Sequence, residues 1–260
     1  MEKILISLQI HSLREDFAND PASTLKAVAA MGYRGVEFDF GIFTENAEFY
    51  HKVIKDAGLE CVSLMAGHHL LDAENLSKVI DFCKILCCDT LVIGALDWPR
   101  LEKEPDFRYP MLEQIKTAVK TIRDAGLKTG FHNHAGDFTT RFDGVTLFEF
   151  LFDNMDDDFM LMMDTGNCMA GGGDPIAMVE KYPHRSRIAH FKGYSEKSGY
   201  VTTLWDSDID NDTLIRTLME TGDSQILSVE FGKRGDYIPM ERAKESFDWL
   251  YGQLKTRNLV

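Results

Sequence analysis

Residues 109–134 read YPMLEQIKTAVKTIRDAGLKTGFHNH. Apolar side chains recur at Met111, Ile115, Val119 and Ile122, the spacing of one buried helix face, and the run stops at Gly126, a residue that closes helices without strain. Thr129 to His132 then form a short apolar segment with the length and composition of a strand covered on both faces. The stretch predicts a helix, a tight turn and a strand. That unit repeats in both directions.

Segments rich in Val, Ile, Leu and Phe occur at Ile4 to Gln9, Gly35 to Phe38, Glu60 to Met65, Thr90 to Ile93, Thr129 to His132, Phe159 to Asp164, Arg187 to His190 and Ile226 to Glu230. Between them lie amphipathic stretches with recognisable ends. Asp20 and Pro21 open the first helix as cap and first residue, Gly58 closes the second, and Asp174 with Pro175 opens the sixth. Alternating helices and near-continuous apolar strands call for parallel pairing. A length of 260 residues matches the roughly 250 of an eight-fold barrel. A doubly wound sheet would carry a glycine-rich first turn, whereas the first strand here runs into QIHSLRED, and no GxGxxG or GxxxxGK[ST] follows. The fold class expected is therefore α/β, one (β/α)8 TIM barrel over residues 1–260 as a single domain. Gly171 to Gly173, after the sixth strand, read as a mobile loop.

Acidic residues outnumber basic ones 42 to 28, a formal charge of −14, and no stretch gathers Lys and Arg into a stripe. Such a field repels phosphate backbones and anionic lipid, so neither nucleic acid nor membrane is an expected partner. The N-terminal apolar stretch is interrupted by His11 and Arg14, and no apolar run approaches 18 residues; a cytoplasmic location is expected. The cysteines (61, 83, 87, 88 and 168) are odd in number and lack a CxxC pair, which suits reduced thiols. Cys83 and Cys87, four apart on an expected helix, are a conceivable two-thiol site, with simple packing the plainer reading.

In a closed barrel the chemistry sits at the C-terminal ends of the strands. The first strand ends in Gln9 and His11, the second in Glu37 and Asp39; His68 and His69 follow the third, Asp97 and Trp98 the fourth. The fifth ends in His132 and His134, two apart and so on one face, with Asn133 on the other. The last three offer Asp164, His190 and Glu230. Neighbouring strands lie ~5 Å apart, so four consecutive ligand-type side chains converge on a volume suited to one ion with bonds of ~2.0–2.2 Å. Mixed nitrogen and carboxylate donors favour Mn2+, Zn2+, Co2+ or Fe2+ over Ca2+ or Mg2+.

The runs GYRGVEFDFG (32–41), FHNHAGDF (131–138), LMMDTGN (161–167), AHFKG (189–193) and VEFG (229–232) together resemble the xylose isomerase-like barrels, the sugar phosphate isomerase/epimerase group. The resemblance covers essentially the whole chain. It implies one divalent metal held at His132, Asp164, His190 and Glu230, with His132 standing where many relatives have Glu; a subgroup with HNH there exists. It further implies a sugar, sugar phosphate or keto-polyol isomerase or epimerase working through an enediolate, with Glu230 and His132 dividing the proton transfer. A keto-sugar or inosose dehydratase, or a non-catalytic sugar-binding barrel, are the alternatives. His132 is then either ligand or base, since a lone pair given to a metal cannot also take a proton, and as a ligand it leaves His134 or Asp137 as acid/base partner. A hydrogen-bonding neighbour is expected to orient the free nitrogen of His190.

Substrate-binding candidates are His134, Lys192, His68, Glu37 and Trp98, the last with Phe40 and Trp205 as a possible apolar wall. Lys233 and Arg234 after the eighth strand could hold a phosphate or carboxylate, surface solvation being the plainer role. Endonuclease IV shares the architecture but needs a basic face that this acidic chain lacks. A homo-oligomer is expected on family grounds alone.

Overall fold

A computed structural model describes residues 4–41, 46–232 and 237–260. Eight parallel strands, β1 (Leu5–Gln9), β2 (Gly35–Asp39), β3 (Glu60–Gly67), β4 (Thr90–Ala95), β5 (Lys128–His132), β6 (Met160–Asp164), β7 (Ile188–Phe191) and β8 (Ile226–Val229), close into a barrel in the order β1-β8-β7-β6-β5-β4-β3-β2. Each expected strand is present, with ends moved by at most two residues. Major helices between and after them are α1 (Pro21–Met31), α2 (Ala47–Asp56), α3 (Ala73–Ile85), α4 (Arg108–Asp124), α5 (Leu147–Asp153), α6 (Pro175–Lys181), α7 (Asn211–Glu220) and α8 (Pro239–Thr256). Their caps follow the sequence: Asp20 accepts from the Ser23 amide, Asp174 from Ile176 and Ala177, and Gly126 lies at φ +84°.

Strand alternation sends one set of side chains outward to the helices and the other into the barrel. Inside, Val62, Met65, Val92, Met160, Met162, Ile188 and Ile226 form a separate apolar plug. Two residues further along the same pleats the interior turns polar: Ile226 gives way to Ser228 and Glu230, Ile188 to His190, Met162 to Asp164. Register then fixes height, pairing Asp164 with His190 across β6 and β7 and His132 with Met162 across β5 and β6. The strand ends thus place the donors at slightly different heights, and side-chain reach brings them together above the packed hydrocarbon.

Gly171 to Gly173 form a loop packed at both ends: a Cβ on Gly171 would stand 2.5 Å from the Ala135 carbonyl oxygen and one on Gly173 would meet the Phe138 ring at 2.7 Å, while Gly172, exposed at φ +79°, has open space around it. One expectation needs correction. Cys83 and Cys87 do not share a helix face, because α3 ends at Ile85; Cys83 is buried, and Cys87 is exposed at φ 55°. Among the described residues no helix is long and apolar enough to cross a membrane.

Candidate metal centre

Asp164 ends β6 and caps the short helix Thr165–Ala170. Its Oδ1 accepts from the Asn167 amide at 2.7 Å, while Oδ2 is buried without a hydrogen-bond partner. Asn133, fully buried, clamps this corner: its Nδ2 donates to the Asp164 carbonyl at 2.9 Å and its Oδ1 accepts from the Asp164 amide at 2.8 Å. His132 is also buried, with both ring nitrogens unpartnered; its Nε2 stands 3.4 Å from Asp164 Oδ2 and 3.6 Å from Glu230 Oε2, without hydrogen-bond geometry. His190 Nδ1 lies 2.8 Å from that same Glu230 oxygen. One ligand atom from each of His132, Asp164, His190 and Glu230 falls within 4.8 Å of all the others. Buried polar atoms without partners are rare, and donors around an ion at ~2.0–2.2 Å stand at about such separations. The set fits a divalent metal.

Charge explains how so polar a cluster tolerates burial. Three carboxylates (Glu37, Asp164, Glu230) face two imidazoles and the Lys192 ammonium, whose Nζ is 2.7 Å from Glu230 Oε1 and 3.5 Å from Asp164 Oδ2. Burial alone would raise the Glu230 carboxyl, but Lys192 and both imidazoles outweigh it and hold the group well below the usual carboxylate range. Burial would lower His190, yet the Glu37 and Glu230 carboxylates prevail and hold it at about 10. For His132 too, burial and the neighbouring His190 pull down, and Asp164 with Glu230 raises it on balance.

Glu37 does not reach toward a substrate. It is fully buried under His190, accepting from Ser7 Oγ at 3.4 Å and from Ser63 Oγ, with its Oε2 3.1 Å from His190 Nε2. It thus occupies the orienting position expected beside the His190 ring and leaves Nδ1 facing the other donors. Carboxylate partners of this kind affect metal affinity about 10–100-fold, and Glu37→Gln should weaken binding by that factor with the fold intact, as read by competition with a fluorescent chelator. Unchanged affinity would make Glu37 a mere filler of the barrel.

A cavity of about 340 Å³ opens above this cluster, lined among others by Gln9, His11, Asp39, Phe40, His132, His134, Lys192 and Glu230. His134 and Lys192 thus line the cavity. Trp98 lies behind the wall, its ring 5.3 Å from that of His134 and its Nε1 donating to Asp137 at 2.6 Å. His68 turns away in a short 3-10 turn against Phe107, Asp97 caps the helix Trp98–Lys103, and Trp205 is exposed beside Arg242. Lys233 and Arg234 lie outside the described residues. The side chains of Glu230 and His132, the pair expected to divide the proton transfer, converge on one half of the barrel. Three strands apart and both long, they meet at 3.6 Å. His11 and Asp39, strand-end residues with no role assigned from the sequence, pair at 3.2 Å on the β1–β2 side of the rim. A larger cavity of about 610 Å³ lies at the N-terminal ends of the strands, where Arg187 is bonded to Thr90 and Gln225.

A family model described as xylose isomerase-like TIM barrel matches residues 25–253. The chain belongs to that family. Among curated relatives of this xylose isomerase-like barrel is an inosose dehydratase of Geobacillus kaustophilus (strain HTA426), 22% identical over 204 residues, covering 70% of this chain and 64% of the relative. The chain thus spans just under two thirds of that protein's length. Among solved structures, a sugar phosphate isomerase/epimerase from Parabacteroides distasonis ATCC 8503 superimposes with a TM-score of 0.80 at 23% identity, covering 96% of this chain and 94% of that one. An IOLI protein with a binding zinc atom gives 0.69 at 13% identity, covering 97% and 99%. Likeness at such identities establishes the shared barrel, whose site must be argued from its own residues.

Proposed function

We propose that this xylose isomerase-like barrel is a divalent-metal-dependent isomerase or epimerase of a small sugar, sugar phosphate or polyol ketone. The observation that carries the reading is the convergence of His132, Asp164, His190 and Glu230 within 4.8 Å, with buried donor atoms on His132 and Asp164 that no protein group satisfies. A divalent ion held there supplies Lewis-acid polarisation of a carbonyl oxygen, which acidifies the neighbouring C–H. Glu230 is the group placed to take that proton, kept ionised by Lys192 at 2.7 Å. Lys192 lines the cavity and can donate to a substrate oxygen. His132 acts as ligand, with both nitrogens free of competing hydrogen bonds. Phe40 supplies an apolar patch on the same cavity wall.

A second reading, dehydration of a keto-polyol, is favoured by curated relatives named inosose dehydratase, and shares the first proton abstraction. The test uses protein loaded separately with Mn2+, Co2+ and Zn2+ in D2O, incubated with ketopentoses, ketohexoses and inososes and followed by NMR. Deuterium should enter at the carbon beside the carbonyl, stop on dialysis against a chelator and return with metal. Loss of a hydroxyl would assign the dehydratase. A protein that binds the ion yet exchanges no proton on any of these ketones would be a binding module instead.

A further inference from the structure

We infer that His11, oriented by Asp39, is the second proton-transfer group of this active site, acting from the β1–β2 side of the rim. The inference rests on the proposed proton-transfer chemistry and adds a residue to it. Isomerisation, epimerisation and dehydration each need two proton movements: one off carbon, the other onto a carbon, an oxygen or a departing hydroxyl. Glu230 serves the first. On the metal side the ring of His132 is committed to the ion. His134 keeps an unpartnered Nδ1 and lines the cavity, but with ring centroids 4.9 Å from His132 it stands on the same wall as the metal donors. Asp137 is fully buried outside the cavity, its two oxygens taken by Trp98 Nε1 and the His134 amide, each at 2.6 Å. Lys192 is engaged with Glu230.

His11 lies in the turn Ile10–Leu13 that follows β1, and β1 stands opposite β5 in the closed barrel order. Its Nδ1 is 3.2 Å from Asp39 Oδ2. Asp39 is fixed in turn by Gln9, whose Nε2 donates to Asp39 Oδ1 at 3.4 Å while its Oε1 accepts the His11 amide at 3.0 Å. Gln9 is fully buried. Gln9 thus ties the Asp39 carboxylate to the His11 backbone, and that carboxylate faces the ring's Nδ1 as an ion-pair contact, which favours a proton on Nδ1. Nε2 is left as the exchanging nitrogen, with Arg14 Nη1 3.5 Å away. The ring is partly exposed and lines the cavity. A carboxylate that fixes ring and tautomer is the arrangement that makes a histidine an effective acid and base.

The step is redox-neutral. The C–H bond breaks, its proton passes to Glu230, and the electron pair moves into the carbonyl. His11 in its protonated form then gives the Nε2 proton to the other face of the carbon, to the adjacent oxygen, or to a departing hydroxyl that leaves as water. Exchange with solvent returns both groups to their starting states.

Two measurements test the assignment on Zn2+-loaded protein. In His11→Gln, deuterium exchange at the carbon beside the carbonyl, measured on ketohexoses and inososes, should stay within a few-fold of the parent. Net conversion should fall about 10²–10⁴-fold, the range for one acid/base group, with metal content unchanged and added imidazole restoring part of it. Long-range 15N–1H spectra should show the parent His11 protonated on Nδ1, and Asp39→Asn should move that proton to Nε2 and lower conversion without loss of metal. Parent exchange together with full conversion in His11→Gln overturns the inference alone, as does a parent tautomer protonated on Nε2. A parent without exchange on any probe overturns the proposed function and this assignment with it.

Discussion

Replacing Glu230 with Gln is expected to remove most of the metal and to slow proton exchange by at least about 10³-fold, because one side chain serves as ligand and base at once. Gln keeps the shape and loses the charge. Glu230 Oε2 lies within 3.6 Å of both imidazoles and Oε1 holds Lys192 at 2.7 Å, so the neutral amide leaves a buried ammonium with only Asp164 at 3.5 Å. Removing one partner from such a buried pair costs about 3–5 kcal/mol, and the metal-free variant should melt earlier as well. His132→Gln separates the two possible roles of that histidine. As a ligand its loss empties the site; as a base its loss leaves metal bound and stops exchange at one face. The unpartnered nitrogens of His132 beside Asp164 Oδ2 make metal loss the expected result. Metal content by mass spectrometry after gel filtration, with NMR exchange on the same samples, reads both variants. Full occupancy and exchange within tenfold of the parent in Glu230→Gln would leave this centre without a chemical role.

How far the sequence could be read follows from what strands and turns encode. Parallel strands covered on both faces leave continuous apolar runs, so segments such as Met160 to Asp164 stand out, and the two-residue pleat then states which side chains enter the barrel. That is why Asp164, His190 and Glu230 were legible as a group. Depth was not. Glu37 and Asp39 sit on one pleat, but only closure of the barrel makes Glu37 a buried support for His190 and Asp39 a rim residue. His11 was hidden differently: its strand has ended, and the β1–β2 pairing that sets Gln9 beside Glu37 brings the following turn against Asp39. Turn geometry likewise withdrew His68 and Trp98, since a 3-10 turn and a helix start aim side chains in directions that no alternation pattern predicts.

Metal binding at neutral pH should release between about one and two protons per ion, and affinity should climb up to about tenfold per pH unit for each proton displaced. The metal-free cluster balances its carboxylates with protons: His190 is held at about 10 and His132 is raised, so His190 carries a proton at pH 7 that must leave before Nδ1 can bind. A divalent cation entering as the two imidazoles lose their protons conserves the charge of the buried cluster, which is why exchange of one for the other is favourable there. Stability of the metal-free form has the opposite pH dependence. A histidine raised from its ordinary 6.5 to about 10 contributes stability that is complete below the ordinary value and lost as pH rises through the folded one. Glu230, held well below its ordinary 4.5, contributes stability that is present above that value and lost in acid. The metal-free protein should therefore be most stable between these two ordinary values and should melt progressively earlier from pH 7 to pH 10, whereas the metal-loaded protein, with no proton left on His190 to lose, should not share that decline. Titration calorimetry in buffers of different ionisation enthalpy counts the protons, and paired melting curves across the same range check the sign. Proton release near zero at pH 7, or parallel melting curves with and without metal, would mean that His190 is not a ligand of the ion.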